Sequence, residues 1–273
     1  MNRFPLLLEP SELAPRLGEP GLLIVDVGKE AVYRQAHVPG AIHLDYRRLQ
    51  RGTPPAPGLP PAPEHIAALL SEIGLTPETH VVAYDDEGGG RSARLLWLLE
   101  LAGHRRYSWV NGGIHAWLAD DLAYESTPNA PTATRYEPGE PNARAIVDLD
   151  YLLARHRDAD VVVWDARSRE EYEGSRPLAA KAGHIPGAVN YEWTTAQDAA
   201  RDGRLRDLET IRAELAALGI DGSKEIITHC QTHHRSSFTW LLGRILGFDD
   251  IRGYAGSWSE WGNHPDTPVE RGA

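Results

Sequence analysis

The chain holds a single cysteine, Cys230, and it opens the run Cys230-Gln231-Thr232-His233-His234-Arg235. A thiol followed closely by a guanidinium is raw material for nucleophilic catalysis. The reactive species is the thiolate, and a cation or a ring of N–H donors lowers the pKa enough to populate it near neutral pH. Arg235 supplies a permanent cation, and His233 and His234 add charge when protonated. An isolated cysteine is more often a small buried hydrophobe, but this loop is polar throughout, and an inert apolar pocket is hard to build around it. A metal reading of His229, Cys230, His233 and His234 is weaker. Adjacent histidine side chains diverge, and no further cysteine completes a tetrahedral site, so neither metal nor cofactor is expected. A lone cysteine also excludes an internal disulfide.

The elements that must position this loop are legible on both sides. Ile226-Ile227-Thr228-His229 is an apolar strand, and Ser236 to Leu246 has helical patterning, so Cys230 opens a strand-to-helix turn. In parallel α/β sheets ligands bind at the carboxyl ends of strands, where the free amides of the next helix favour an anion. The surrounding sequence repeats. Glu64 to Asp85 aligns without a gap with Glu209 to Cys230, at an offset of 145 residues. Each copy carries a helix, a glycine at its C-cap and a buried strand, but Asp85 stands where Cys230 stands. Leu22 to Asp26 pairs with Val161 to Asp165, and His37-Val38-Pro39-Gly40-Ala41 with His184-Ile185-Pro186-Gly187-Ala188. Alternating strands and helices predict an α/β chain of two tandem domains, each a mostly parallel sheet flanked by helices. The expected boundaries are a non-catalytic domain over 1–125, a proline-rich linker over 126–142 and a catalytic domain over 143–273. Thr53 to Pro63 reads as a loop inside the first copy.

Composition narrows the partners. Among 273 residues, 28 Lys and Arg against 39 Asp and Glu give a net charge of −11, which disfavours nucleic acid and anionic membranes. An anionic substrate must therefore be caught by a local positive site. No apolar run approaches the roughly 18 residues of a spanning helix, and the run Phe4 to Leu8 is too short for a secretory signal. A cytoplasmic monomer is expected, in a compartment where a reactive thiol stays reduced.

Two tandem copies with a cysteine in the second alone resemble the tandem-domain rhodaneses, which are thiosulfate:cyanide sulfurtransferases with mercaptopyruvate-using relatives. Tyr33 with His37 to Ala41 is similar to the family's N-terminal signature, and Tyr254-Ala255-Gly256-Ser257-Trp258-Ser259-Glu260-Trp261 to its C-terminal one. The Cys230 to Arg235 loop resembles that of a bacterial subtype carrying Cys-Gln-Thr-His-His-Arg. The resemblance implies two rhodanese-like domains and a sulfur shuttle. Thiolate Cys230 takes the outer sulfur of thiosulfate or another sulfane donor, and the persulfide passes it to cyanide, a thiol or an acceptor protein. Gln231, Thr232, His233, His234 and Arg235 would then bind substrate and sulfur, with Arg235 also anchoring the loop.

Two departures bear on the donor. This loop has neither the basic residues that follow the cysteine in classical thiosulfate-preferring relatives nor the Gly-Ser/Thr-Gly of mercaptopyruvate-preferring ones. Where many relatives place a substrate-facing arginine, the chain reads Glu170-Glu171-Tyr172-Glu173, with Arg169 and Arg176 as nearby substitutes. Arg167, next but one to Asp165, suits a structural ion pair. Trp258 and Trp261 fit either the pocket mouth or helix packing. A 3-mercaptopyruvate sulfurtransferase is thus the alternative. A cysteine phosphatase or arsenate-reductase-like enzyme is a more distant one, because such cradles place five residues between Cys and Arg and this loop has four. The Gly88-Gly89-Gly90 run lacks the Lys-Ser/Thr of a phosphate loop and reads as a flexible or interface loop.

Overall fold

The computed structural model describes residues 4–50 and 52–272. In the first half, strands β1 (Leu7–Leu8), β2 (Leu22–Asp26), β3 (Ile42–His43), β4 (His80–Tyr84) and β5 (Tyr107–Val110) form one sheet in the order β1-β5-β4-β2-β3, with every pair parallel. In the second half follow β6 (Ile146–Val147), β7 (Val161–Asp165), β8 (Val189–Asn190), the antiparallel pair β9 (Gln197–Asp198) and β10 (Arg204–Leu205), then β11 (Glu225–His229) and β12 (Ile251–Tyr254). The second sheet runs β6-β12-β11-β7-β8 and is again wholly parallel, so the duplication seen in the residues is a duplication of topology.

Helices α1 (Pro10–Leu13), α2 (Glu30–Tyr33), α3 (Pro63–Glu72), α4 (Gly90–Leu101) and α5 (Gly113–Ala119) accompany the first sheet. Helices α6 (Leu149–Arg155), α7 (Arg169–Glu173), α8 (Leu208–Ala217), α9 (Arg235–Ile245) and α10 (Ser257–Trp261) accompany the second. The central strands β4 and β11 are buried along their whole length, which explains their continuous apolar runs: parallel strands covered on both faces do not alternate. One core gathers Leu13, Ile24, Val82, Tyr84, Ile114 and Trp117, and its counterpart gathers Leu152, Val163, Ile227, Tyr254, Trp258 and Trp261. Helices α3 and α8 both end in a left-handed glycine, Gly74 at φ +85° and Gly219 at φ +80°.

The paired Tyr…His-x-Pro-Gly-Ala segments make one structural device twice. Tyr33 stacks on His37 at 3.9 Å and its hydroxyl donates to the Ala41 carbonyl, while Tyr172 stacks on His184 at 3.7 Å and donates to the Ala188 carbonyl. Each pins the turn that leads into a short outer strand, β3 or β8.

The chain divides into two compact units whose membership departs from simple halves. Unit 1 comprises Met1–Leu49, Pro61–Asn142 and Gln197–Leu205; unit 2 comprises Gln50–Pro60, Ala143–Ala196 and Arg206–Ala273. The proline-rich stretch over 126–142 therefore belongs to unit 1. Thr134 donates its amide to the Ser71 carbonyl at 2.9 Å, Asn142 does so to Leu101 at 3.1 Å, and Tyr136 is buried.

Candidate active site

Cys230 follows the last residue of β11 and is fully buried. Its loop is held from outside by the start of α10. The Trp258 amide donates to the Cys230 carbonyl at 2.9 Å, and the Ser259 amide and hydroxyl donate to the Gln231 carbonyl at 3.0 and 2.5 Å. In a planar trans peptide the N–H points opposite the C=O, so fixing these carbonyls outward turns the amides of residues 231 and 232 inward. His233 then takes φ +55°, a left-handed conformation that curls the loop into a nest of N–H groups before α9 begins.

The electrostatics follow from this wrapping. Burial by itself pushes a thiol up. Here the Arg235 guanidinium, the Ser236 hydroxyl and amide, and the Thr232 amide outweigh it and hold the Cys230 thiol below its usual value. The cradle is itself braced, since His233 Nδ1 lies 2.7 Å from Ser236 Oγ and Ser237 Oγ donates to the His233 carbonyl at 2.5 Å.

The loop residues singled out in the sequence divide by position. Thr232 and Arg235 act on the sulfur, through the amide of one and the charge of the other. The Gln231 side chain turns away, donating to the Leu178 carbonyl at 3.1 Å and approaching Ser259 Oγ at 3.3 Å. The His233 ring is buried against Ser236, and the His234 ring lies 6.1 Å from that of Trp193.

Arg235 does two things at once. Its two terminal nitrogens donate in parallel to both Glu171 oxygens, at 2.6 and 2.8 Å, while its charge acts on Cys230. The place where a substrate-facing arginine looked absent thus holds the carboxylate that anchors the loop arginine. Glu171 is reached through α7, whose Ser168 N-cap and Glu171 form a capping box. Arg169, offered as a substitute, pairs with Glu173 on the same helix.

Behind the loop lies a second buried pair. Arg167 donates to both oxygens of Asp165, also donates to the Gly183 carbonyl at 2.8 Å, and stacks 4.3 Å over the Trp258 ring, which is the structural ion pair expected of it. Trp258 and Trp261 are both buried, so they pack α10 against the sheet. His229, 3.5 Å from Asp165, is held down at about 4, chiefly by burial, and is neutral at physiological pH. Among the described residues no cluster of His, Cys, Asp or Glu is placed to hold a metal ion.

The first copy builds the same turn around a different group. Asp85 follows β4, and its carboxylate accepts five hydrogen bonds: from the amides of Glu87, Gly89, Arg91 and Ser92 and from the Ser92 hydroxyl, at 2.8 to 3.0 Å. Gly88 and Gly89, at φ +90° and +108°, let the chain wrap it, so the glycine run, read from its composition as a flexible or interface loop, forms a shell around a carboxylate, and the Gly88 carbonyl accepts from the Gln197 side chain at 3.0 Å.

Sequence reasoning missed three contributors: the Ser236 side chain, the α10 serine Ser259, and Glu171. Only Ser236 carried a local signal, as the first residue after Arg235 at a helix start.

Comparison with known proteins agrees with this geometry. The chain matches the family described as rhodanese-like domain twice, over residues 9–120 and 148–264. It is 52% identical to a thiosulfate sulfurtransferase of Pseudomonas aeruginosa over 98% of this chain and 97% of that one. It is 50% identical to a thiosulfate sulfurtransferase of Azotobacter vinelandii over the same shares. Among solved structures, the fold is shared with an anaerobic ergothioneine biosynthesis enzyme of Chlorobium limicola, at TM-score 0.87 and 24% identity, covering 98% of this chain and 70% of that one. A duplicated strand-loop-helix cradle, with its cysteine in the second copy alone and two family matches spanning most of the chain, places this protein in the rhodanese family as a two-domain member.

Proposed function

We propose that the chain is a thiosulfate:cyanide sulfurtransferase that carries a sulfane sulfur as a Cys230 persulfide. One observation carries the reading: the chain's lone thiol sits at a strand end inside a nest of amides, with its pKa held down by Arg235, Ser236 and Thr232. In the first step the thiolate attacks the outer sulfur of thiosulfate, the S–S bond of the donor breaks, and sulfite leaves with the electron pair. The persulfide's terminal sulfur is anionic, and converging N–H donors stabilise such an anion as they do an oxyanion. In the second step cyanide, or a thiolate, attacks that terminal sulfur and Cys230 departs as the thiolate, ready for another turn. Thr232, His233 and the 231–235 backbone cradle the sulfur, and Arg235 holds the loop and balances its charge. Gln231 takes part through its backbone, its side chain being held by Leu178 and Ser259, and His234 contacts the donor.

The domain over 1–125 is the non-catalytic copy, 126–142 joins it to the catalytic domain over 143–273, and the chain works as a monomer without a cofactor. Among the described residues no helix is long and apolar enough to cross a membrane. A reduced, cytoplasmic setting suits a reactive thiol, with a small thiol or an acceptor protein as the natural sink. The test is steady-state turnover with thiosulfate and cyanide beside turnover with mercaptopyruvate. A higher kcat/KM for thiosulfate is expected. Preference for mercaptopyruvate reassigns the donor, and turnover with neither removes the reading.

A further inference from the structure

The Thr232 carbonyl is the one member of the loop's first three that α10 does not hold. The Cys230 and Gln231 carbonyls are pinned by Trp258 and Ser259. The Thr232 carbonyl instead faces the segment Gln50–Pro60, which is part of unit 2 although it is drawn from the first half of the sequence. Its contact there is Gly58. A Cβ at Gly58 would lie 2.1 Å from the Thr232 carbonyl oxygen, 2.5 Å from its carbon and 2.8 Å from the Ala255 carbonyl oxygen. Gly58 is absent from the glycines with positive φ, so what the position demands is space and not a left-handed backbone. The segment is itself shaped to approach closely. It turns on Leu59 N to Ala56 O at 3.2 Å and Gly52 N to Pro57 O at 3.2 Å, with Ala56 buried.

We propose that Gly58 is a positioning residue of the sulfur cradle: having no side chain, it lets the strap over 52–60 seat against the Thr232 carbonyl and so fixes the Thr232 backbone, whose amide faces Cys230. The inference rests on the reading of Cys230 as the sulfur carrier. Its logic extends that of the two α10 contacts: Ser259 holds the Gln231 carbonyl on one side of the Thr232 amide, and the strap holds the Thr232 carbonyl on the other, so that the amide between them cannot turn away from Cys230. Adding one methyl group forces the Thr232 carbonyl to rotate or the strap to lift, and either loosens the donors that hold the anion.

The experiment uses the full-length chain. Cys230 is the lone cysteine, so the pH dependence of iodoacetamide alkylation reports its thiolate directly. In Gly58→Ala the thiolate pKa rises by about one unit, and neutral-pH alkylation slows accordingly. At neutral pH kcat falls roughly tenfold with little change in KM for thiosulfate, and it partly recovers as pH is raised. A lowered melting temperature with an unmoved thiolate pKa and unchanged kcat would mark Gly58 as merely structural and overturn the proposal. Should Gly58→Ala fail to fold, Pro57→Gly slackens the strap without adding an atom. A raised thiolate pKa there supports the proposal, and an unaltered one overturns it. If the native protein takes up no sulfur from thiosulfate, the sulfurtransferase reading fails, whereas the alkylation profiles still decide whether the strap tunes Cys230.

Discussion

The turns after β4 and β11 are two solutions to one problem, how to keep an anion at the end of a buried parallel strand. After β4 the anion is covalently part of the chain: the Asp85 carboxylate fills its cradle and takes the Ser92 hydroxyl together with four amides. After β11 the centre is a thiol, and Ser236, like Ser92 the residue directly after the loop arginine, bonds it. The arginines are held differently. Arg91 pairs with Asp86 and Glu87 of its own loop, at 3.5 and 3.1 Å, while Arg235 is tied to Glu171 on another helix. The loops also differ in length, with five residues between Asp85 and Arg91 and four between Cys230 and Arg235. The fold supplies an anion cradle in both copies. Chemistry follows only where the resident group is a nucleophile that can take a second sulfur and give it up.

The comparison breaks hardest at the resident group. Cys230→Ser keeps the cradle but replaces the carrier with a poor nucleophile, and sulfur transfer is expected to fall to the uncatalysed rate. The next effect comes from the tether. Glu171→Ala strands Arg235 without its carboxylate, costing about 3 kcal/mol of stability and roughly a hundredfold in transfer if the loop shifts. Burial raises the Glu171 carboxyl, yet Arg235 brings it below the ordinary 4.5. The stability it contributes is therefore present above 4.5 and is lost as pH falls through the lower folded value. Denaturation of both chains across acidic pH checks this, because the loss should disappear in the variant.

Smaller effects sharpen the contrast from the other side. Asp85→Ala leaves a ring of buried donors without an acceptor, which should destabilise the first domain by about 2 kcal/mol while sulfur transfer stays within about twofold, the sulfur chemistry lying elsewhere. A loss as large as that of the Cys230 variant would refute the division of labour. Asp26, at the end of β2, is pushed up to about 7, first by burial and then by the Asp85 and Asp86 charges, against hydrogen bonds from Tyr84 and Gly28. A carboxyl that holds its proton more tightly when folded loses stability for the fold as pH rises from 3.8 to about 7. Asp26→Asn should remove that slope and melt a few degrees higher than the parent chain at alkaline pH.

Much of this was legible in the residues because it is local. The strand Ile226 to His229, the helix after it, the cysteine between them and the gapless repeat are all written in neighbouring positions. The ion pair of Arg167 with Asp165 was readable for the same reason. What escaped reading is what distant segments bring together. Glu171 lies 64 positions from Arg235 and could be judged only as a departure from a pattern. Gly58 stands in a stretch that composition marks as a plain loop, and its value lies in a contact with Thr232 that no spacing reveals. The prolines over 126–142 suggested an extended connection, but an extended chain still packs, and this one hydrogen-bonds to Ser71 and Leu101. The glycine run was legible as a loop, but its wrapping of Asp85 was not, because that depends on a carboxylate that looked merely repulsive to anions.

The central claim is that one cradle carries sulfur and the other cannot. Its most direct test is the intact mass of the full-length protein after exposure to thiosulfate and again after cyanide, with the adduct mapped by peptide. The account predicts a gain of one sulfur atom, located on the peptide containing Cys230 and removed by cyanide. No gain, or a gain that persists in Cys230→Ser, would contradict it.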